Sequence, residues 1–110
     1  MTSQDERILV LTTCPDESTA ETIARGLVES RLAACVNILP PCRSIFTWEG
    51  VVEDAQERVL LIKSRTACYP ALERAIVRAH PYELPEVICV PIHTGLPGYL
   101  SWIDSMTSET

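Results

Sequence analysis

The stretch His80-Pro81-Tyr82-Glu83-Leu84-Pro85-Glu86 gathers one imidazole, one phenol and two carboxylates into a single short connection. Each of these groups can exchange a proton or meet a cation. Proline lacks a backbone donor and disfavours a helical residue before it. A helix is therefore predicted to stop at or near His80, and a strand to begin just after Pro85. His80 then stands at a helix C-terminus and Glu86 at a strand entrance, on a support stiffened by two prolines. The same residues also suit a tight turn whose polar groups bond nearby backbone.

Two further residues join them. Lys63 follows the aliphatic run Val59-Leu60-Leu61-Ile62 and is expected to point into solvent or toward Glu83 or Glu86, as a salt bridge. Trp48 is read as a packing anchor or as a ligand platform. Lys63, His80, Tyr82, Glu83, Glu86 and Trp48 thus form the candidate ligand-binding cleft. An alternative reading makes them an enzyme site, with His80 and Glu86 as the acid/base pair acting on a small molecule in a cleft between subunits. No nucleophile with a positioned base and no glycine-rich phosphate loop is visible, so a binding protein rather than an enzyme is expected.

These groups sit on a chain of 110 residues, read as one domain over 1–110 and small enough to gain from association with copies of itself. Hydrophobic residues make up 46% and charged ones 22%, which excludes a disordered chain. The net charge of −6, with Lys and Arg scattered, argues against a nucleic-acid partner. No apolar run approaches the roughly 20 residues of a spanning helix, and the start, Met1 to Arg7, is polar and mixed in charge, unlike a signal peptide. No membrane partner is expected, and a cytoplasmic location is. The cysteines at 14, 35, 42, 68 and 89 are odd in number and contain no CxxC pair. They read as small buried hydrophobes in a reducing compartment, not as a disulfide framework or a zinc knuckle.

In chain order, Arg7 to Thr13 is an aliphatic run of strand length, too continuous for a strand with one wet face. Asp16 or Ser18 can cap a helix with Ala20, Ile23, Ala24, Leu27 and Val28 on one face. Leu32 to Leu39 suits a covered strand, which Pro40-Pro41 interrupts before the chain resumes at Arg43 to Trp48. Glu49-Gly50 reads as a hairpin turn, glycine supplying the positive φ. The return strand, Val51 to Ser64, has a polar first half expected outside the core and an apolar second half expected inside it. A second helix from about Thr66 carries Leu72, Ala75, Ile76, Ala79 and His80 on one face, which predicts a neutral imidazole able to accept or ligate unless Glu83 or Glu86 lies within reach and reverses the shift. Val87 to Ile92 is a further strand, and Pro97 to Thr107 a short final helix rich in large side chains.

Length gives the hairpin its meaning. A return strand of this length spans roughly 45 Å at about 3.3 Å per residue, whereas a domain of this size has a radius of gyration of about 13 Å. The ribbon must overhang its own domain, and Ile45, Phe46 and Trp48 on it are expected to pair with another subunit unless it folds back at Pro40-Pro41. The element order gives an α+β fold of the ferredoxin-like split βαβ type: a four-stranded antiparallel sheet, two main helices on one face, a long central hairpin and an extra C-terminal helix. The other face needs a cover, and further subunits supply the economical one.

The sequence resembles the CutA family, small proteins associated with tolerance of divalent cations. The resemblance rests on Cys14-Pro15-Asp16-Glu17, Arg31 to Asn37, Ser44 to Gly50, Ile62-Lys63-Ser64, His80 to Glu86 and Tyr99-Leu100-Ser101-Trp102, in order and at family spacing. It implies a ferredoxin-like homotrimer, similar in architecture to the PII signalling proteins, with long hairpins linking the subunits. It also implies a tie to divalent metal ions, copper among them, since some members bind copper through a cysteine near the end of the first strand and two adjacent histidines before the Pro-Tyr. The equivalent positions here are Thr12, with a thiol two residues later at Cys14, and Ala79-His80. By resemblance the metal residues are therefore His80 and Cys14, with Glu86 as a further oxygen donor.

Overall fold

A computed structural model describes residues 6–108; positions 1–5, part of the start read above as unlike a signal peptide, lie outside them. Strand β1 (Arg7–Cys14) alternates strictly, with Ile8, Val10, Thr12 and Cys14 buried and the residues between them half-buried. Helix α1 (Glu17–Glu29) starts at Asp16, whose carboxylate accepts the Thr19 N–H at 2.8 Å. Ala20, Ile23, Ala24 and Leu27 are buried on the sheet. Val28, expected with them, is 43% exposed at the margin of the stripe. The helix is followed by Arg31 in the left-handed region (φ 62°), its guanidinium donating to the Ser105 and Ser108 carbonyls at 2.6 and 2.5 Å.

Strand β2 (Cys35–Ile38) is broken from β3 (Cys42–Trp48) at the Pro40-Pro41 pair, as the missing donors require. Glu49 (φ 51°) and Gly50 (φ 81°) then both take positive φ, the two-residue turn whose twist matches that of a hairpin. Strand β4 (Val51–Arg65) runs back for 15 residues. A single 3₁₀ turn leads into α2 (Tyr69–Ala79), then β5 (Ile88–Pro91) and α3 (Pro97–Met106). The sheet order is β2-β4-β1-β5, all antiparallel, with β3 paired separately to β4. This is the ferredoxin-like plan, with the second strand split in two at the prolines.

One face of the sheet packs on α1 and α2 through Ile8, Val10, Leu27, Leu60, Ile62, Leu72 and Ile76. The opposite face is only partly covered. There α3 buries Ile103 completely, Asp104 grips Arg7 through two bonds of 3.0 and 2.6 Å, and Arg65 donates to the Thr107 hydroxyl at 2.8 Å. Beyond α3 the face is left with Leu9, Leu11 and Leu61 half-buried and with their neighbours Ile88 and Val90 exposed.

The lower half of β4, Arg58 to Arg65, is paired to β1, and Leu60 to Lys63 is paired to β2 as well. Among the described residues the upper half, Val51 to Glu57, is paired to β3 alone. This ribbon gives the molecule a long axis of 44 Å against 28 and 23 Å. It does not fold back at Pro40-Pro41. Cross-strand partners share a face, so Ser44, Phe46 and Trp48 stand with Glu53, Ala55 and Glu57, while Ile45 and Thr47 stand with Val52 and Asp54 on the other side.

Two outcomes test these devices. Asp104→Asn, which breaks a bidentate pair whose side chains are about a third exposed, lowers unfolding stability by about 1 kcal/mol, read as a shift in urea midpoint at fixed protein concentration. At the ribbon tip, Gly50→Ala destabilises by about 1 kcal/mol because of its positive φ, whereas Glu49→Asn, better suited to the left-handed region, stabilises; changes of the same sign would refute the turn assignment.

Candidate functional site

Helix α2 ends where Pro81 forbids a helical residue before it. His80 is accordingly extended (φ −85°, ψ 137°) and begins a strap, residues 80–87, that crosses to β5. The imidazole turns inward and is 8% exposed. Its Nε2 lies 2.7 Å from the Thr13 carbonyl oxygen, and its Nδ1 lies 3.1 Å from the Tyr82 backbone nitrogen. A carbonyl can only accept and a backbone N–H can only donate. The bonds therefore assign the proton to Nε2 and the lone pair to Nδ1, and both ring nitrogens are engaged. The ring thus accepts, as expected, but what it accepts is the N–H two residues along.

Tyr82 stacks at a tilt on that imidazole, ring centroids 4.6 Å apart, and its hydroxyl donates to Glu57 Oε2 at 2.8 Å. Burial, the bond to Glu57 and the charge of that carboxylate together hold the phenol far above its ordinary range, so it remains a donor. Glu57 is only 6% exposed. The reason lies in the register: β1 ends with Cys14 opposite Arg58, so Glu57 stands just past the end of its neighbouring strand, and the strap closes over it. The polar first half of β4 was expected outside the core, and at Glu57 that expectation fails. No signal within the strand marks it, since Val59 and Leu61 in the same period-two row are only half-buried and the cover comes from the distant strap.

Between the ribbon and the strap lies a groove made of two adjoining hollows of about 490 and 590 Å³. Phe46, Trp48, Tyr82 and Leu84 line both, with Glu53 and Glu83 toward one and Glu57 and Glu86 toward the other. Neither is lined by a lysine or an arginine.

Of the sequence-derived set, Trp48, Tyr82, Glu83 and Glu86 meet at this groove. His80 lies behind it, turned to Thr13. Lys63 is elsewhere: its ammonium donates to the Asn37 side-chain oxygen and lies 4.0 Å from Cys35 Sγ, and it makes no ion pair with Glu83 or Glu86. Distance explains the correction, since Lys63 sits roughly 20 Å along β4 from Glu57 at about 3.3 Å per residue. Cys14 is fully buried in the core, and burial, helped by the charges of Asp16 and Glu57, pushes its thiol up to about 11. Among the described residues no group of three or more His, Cys, Asp or Glu side chains is arranged to hold a metal ion.

Comparison with known proteins agrees with this architecture. The family model described as CutA1 divalent ion tolerance protein matches residues 8–106. A divalent-cation tolerance protein CutA from Thermus thermophilus is 46% identical over 99 residues, covering 90% of this chain and 96% of that one. Protein CutA from Mus musculus is 45% identical over 97 residues, and there the chain spans only 55% of the relative's length. Among solved structures, CutA from Xylella fastidiosa superposes with a TM-score of 0.92 at 44% identity, covering 94% of this chain and 99% of that one. A protein described as the periplasmic divalent cation tolerance protein CutA, from Archaeoglobus fulgidus, gives 0.90 at 36%, covering 93% and 99%. The chain belongs to the CutA1 divalent ion tolerance protein family.

Proposed function

We propose that this chain works as a homotrimeric, PII-like binding protein in divalent-cation tolerance, with ligand clefts formed where the ribbon of one copy meets the body of the next. One observation carries the reading: a single chain leaves too much apolar and unpaired backbone surface open. Ile45 and Val52 on the outer face of the ribbon are 67% and 71% exposed, and the sheet face beyond α3 presents Leu11, Ile88 and Val90. Surface of this extent is what copies of a chain bury. The resemblance set out from the sequence supplies the number three. The five thiols, all free, support residence in a reducing compartment, which we take to be the cytoplasm. Among the described residues no helix is long and apolar enough to cross a membrane.

Copper is the divalent cation the resemblance brings forward, and His80 and Cys14 the residues. The donor set does not fit a metal as it stands. A metal at His80 needs a free nitrogen lone pair, and the one lone pair is taken by the Tyr82 N–H. A metal at Cys14 needs a thiolate, and that thiol is buried and held protonated up to about 11. We therefore assign His80 a positioning role: it ties the end of α2 and the start of the strap to the end of β1. Glu83 and Glu86, both exposed and on the groove, are the carboxylates a cation would meet first.

Two measurements test this. Light scattering should return three times the mass of the chain, and Ile45→Lys combined with Val52→Glu should lower it; a stable monomer at micromolar concentration would end the assembly reading. Calorimetric titration with Cu(II) should give the same affinity for His80→Ala and Cys14→Ser as for the parent, while His80→Ala loses about 2 kcal/mol of stability because two buried backbone partners go unpaired. Copper binding abolished in both variants would instead establish them as ligands.

A further inference from the structure

Glu57 is a buried carboxylate without a counter-charge. Among the described residues it makes no ion pair, and its side-chain bond is to a phenol that stays neutral. The cation next to it in sequence is turned elsewhere: the Arg58 guanidinium lies 3.9 Å from Glu17. A charge withdrawn from water without an opposite charge is costly, and a cation brought to it recovers much of that cost.

The surroundings say what kind of cation. Glu57 opens onto the groove, whose walls are the aromatic rings of Phe46, Trp48 and Tyr82 and whose rim carries Glu53, Glu83 and Glu86, with no basic side chain in the lining. A metal ion needs several donors converging on one point, and no such group of three exists among the described residues. An organic ammonium needs less: one carboxylate, and an aromatic face within about 6 Å. The hollows, about 490 and 590 Å³, are of small-molecule size. Alternation along β3 turns Phe46 and Trp48 toward the groove, while Ile45, on the other face of the ribbon, borders only one of the two hollows. From this we infer that the groove binds a small organic cation, a primary or quaternary ammonium, with Glu57 as its counter-charge and Phe46 and Trp48 as its walls. The inference rests on the proposed binding role but not on a cleft between copies, since the ribbon and strap of one chain build this groove.

The test uses the Trp102→Phe chain, in which Trp48 is the sole indole, titrated with n-butylammonium and with tetramethylammonium against sodium chloride of equal ionic strength. The mass of each sample is followed by light scattering. A saturable change in Trp48 emission is expected for the ammonium salts, weakened roughly tenfold or more by Glu57→Gln and several-fold by Phe46→Leu. Should Glu57→Gln fail to fold, Phe46→Leu, on the exposed ribbon, carries the test. A response absent from both ammonium salts, unchanged in both variants, or displaced by Mg(II) or Cu(II) at equal concentration would overturn the inference. Trimeric mass without ammonium binding overturns this site and keeps the assembly; monomeric mass with saturable binding does the reverse.

Discussion

A strand of 15 residues cannot be satisfied by neighbours of 4 to 8, and β4 is such a strand. Its lower half lies between β1 and β2, in the middle of the sheet, where backbone donors and acceptors on both edges are met. Its upper half has β3 on one edge and, among the described residues, no strand paired to the other. An isolated two-stranded ribbon is at best marginally stable in water, and its open edges invite a further strand. Yet this one is regular to its tip, with paired residues from Cys42–Glu57 out to Trp48–Val51. The mismatch between β4 and its neighbours is the constraint to which the rest of the molecule answers.

The groove is a consequence of the same mismatch. Because β1 stops at Cys14, the edge of β4 is vacated at Glu57, and the strap from α2 to β5 enters that space. The prolines at 81 and 85 fix its course, His80 fastens it to β1, and Tyr82 fastens it to β4. The seven-residue stretch that looked like a chemical site from its residue types is thus, in its first half, a clamp. Its second half, Glu83 to Glu86, faces the groove opposite the ribbon aromatics. Clamping residues and groove-facing residues thus divide along one short segment according to which way each side chain turns.

Much of the fold was legible in the sequence because its signals are local. The spacing of Ala20, Ile23, Ala24 and Leu27, the breaks at Pro40-Pro41 and Pro81, and the turn at Glu49-Gly50 each act through their own backbone, and each appears where expected. The overhang was legible from length alone. Errors arise where burial depends on what a distant segment does. Val28 and Ala79 fall on helix stripes but at their margins, and remain exposed. Glu57 is polar yet covered, because a strap more than twenty residues later lies across it. Lys63 faces Asn37 and Cys35 on the neighbouring strand instead of the glutamates, since the register of β2 on β4, not sequence proximity, decides its partners. The family resemblance was likewise legible, carried by motifs that recur in order.

The central claim is that the ribbon is completed by copies of the chain. Hydrogen exchange at the backbone amides of residues 43–57, followed as protein concentration is raised, tests it most directly. Protection of the ribbon that grows with concentration until it approaches that of β1 is the predicted result. Ribbon amides that exchange at one fast rate at every concentration, while β1 stays protected, would contradict the account.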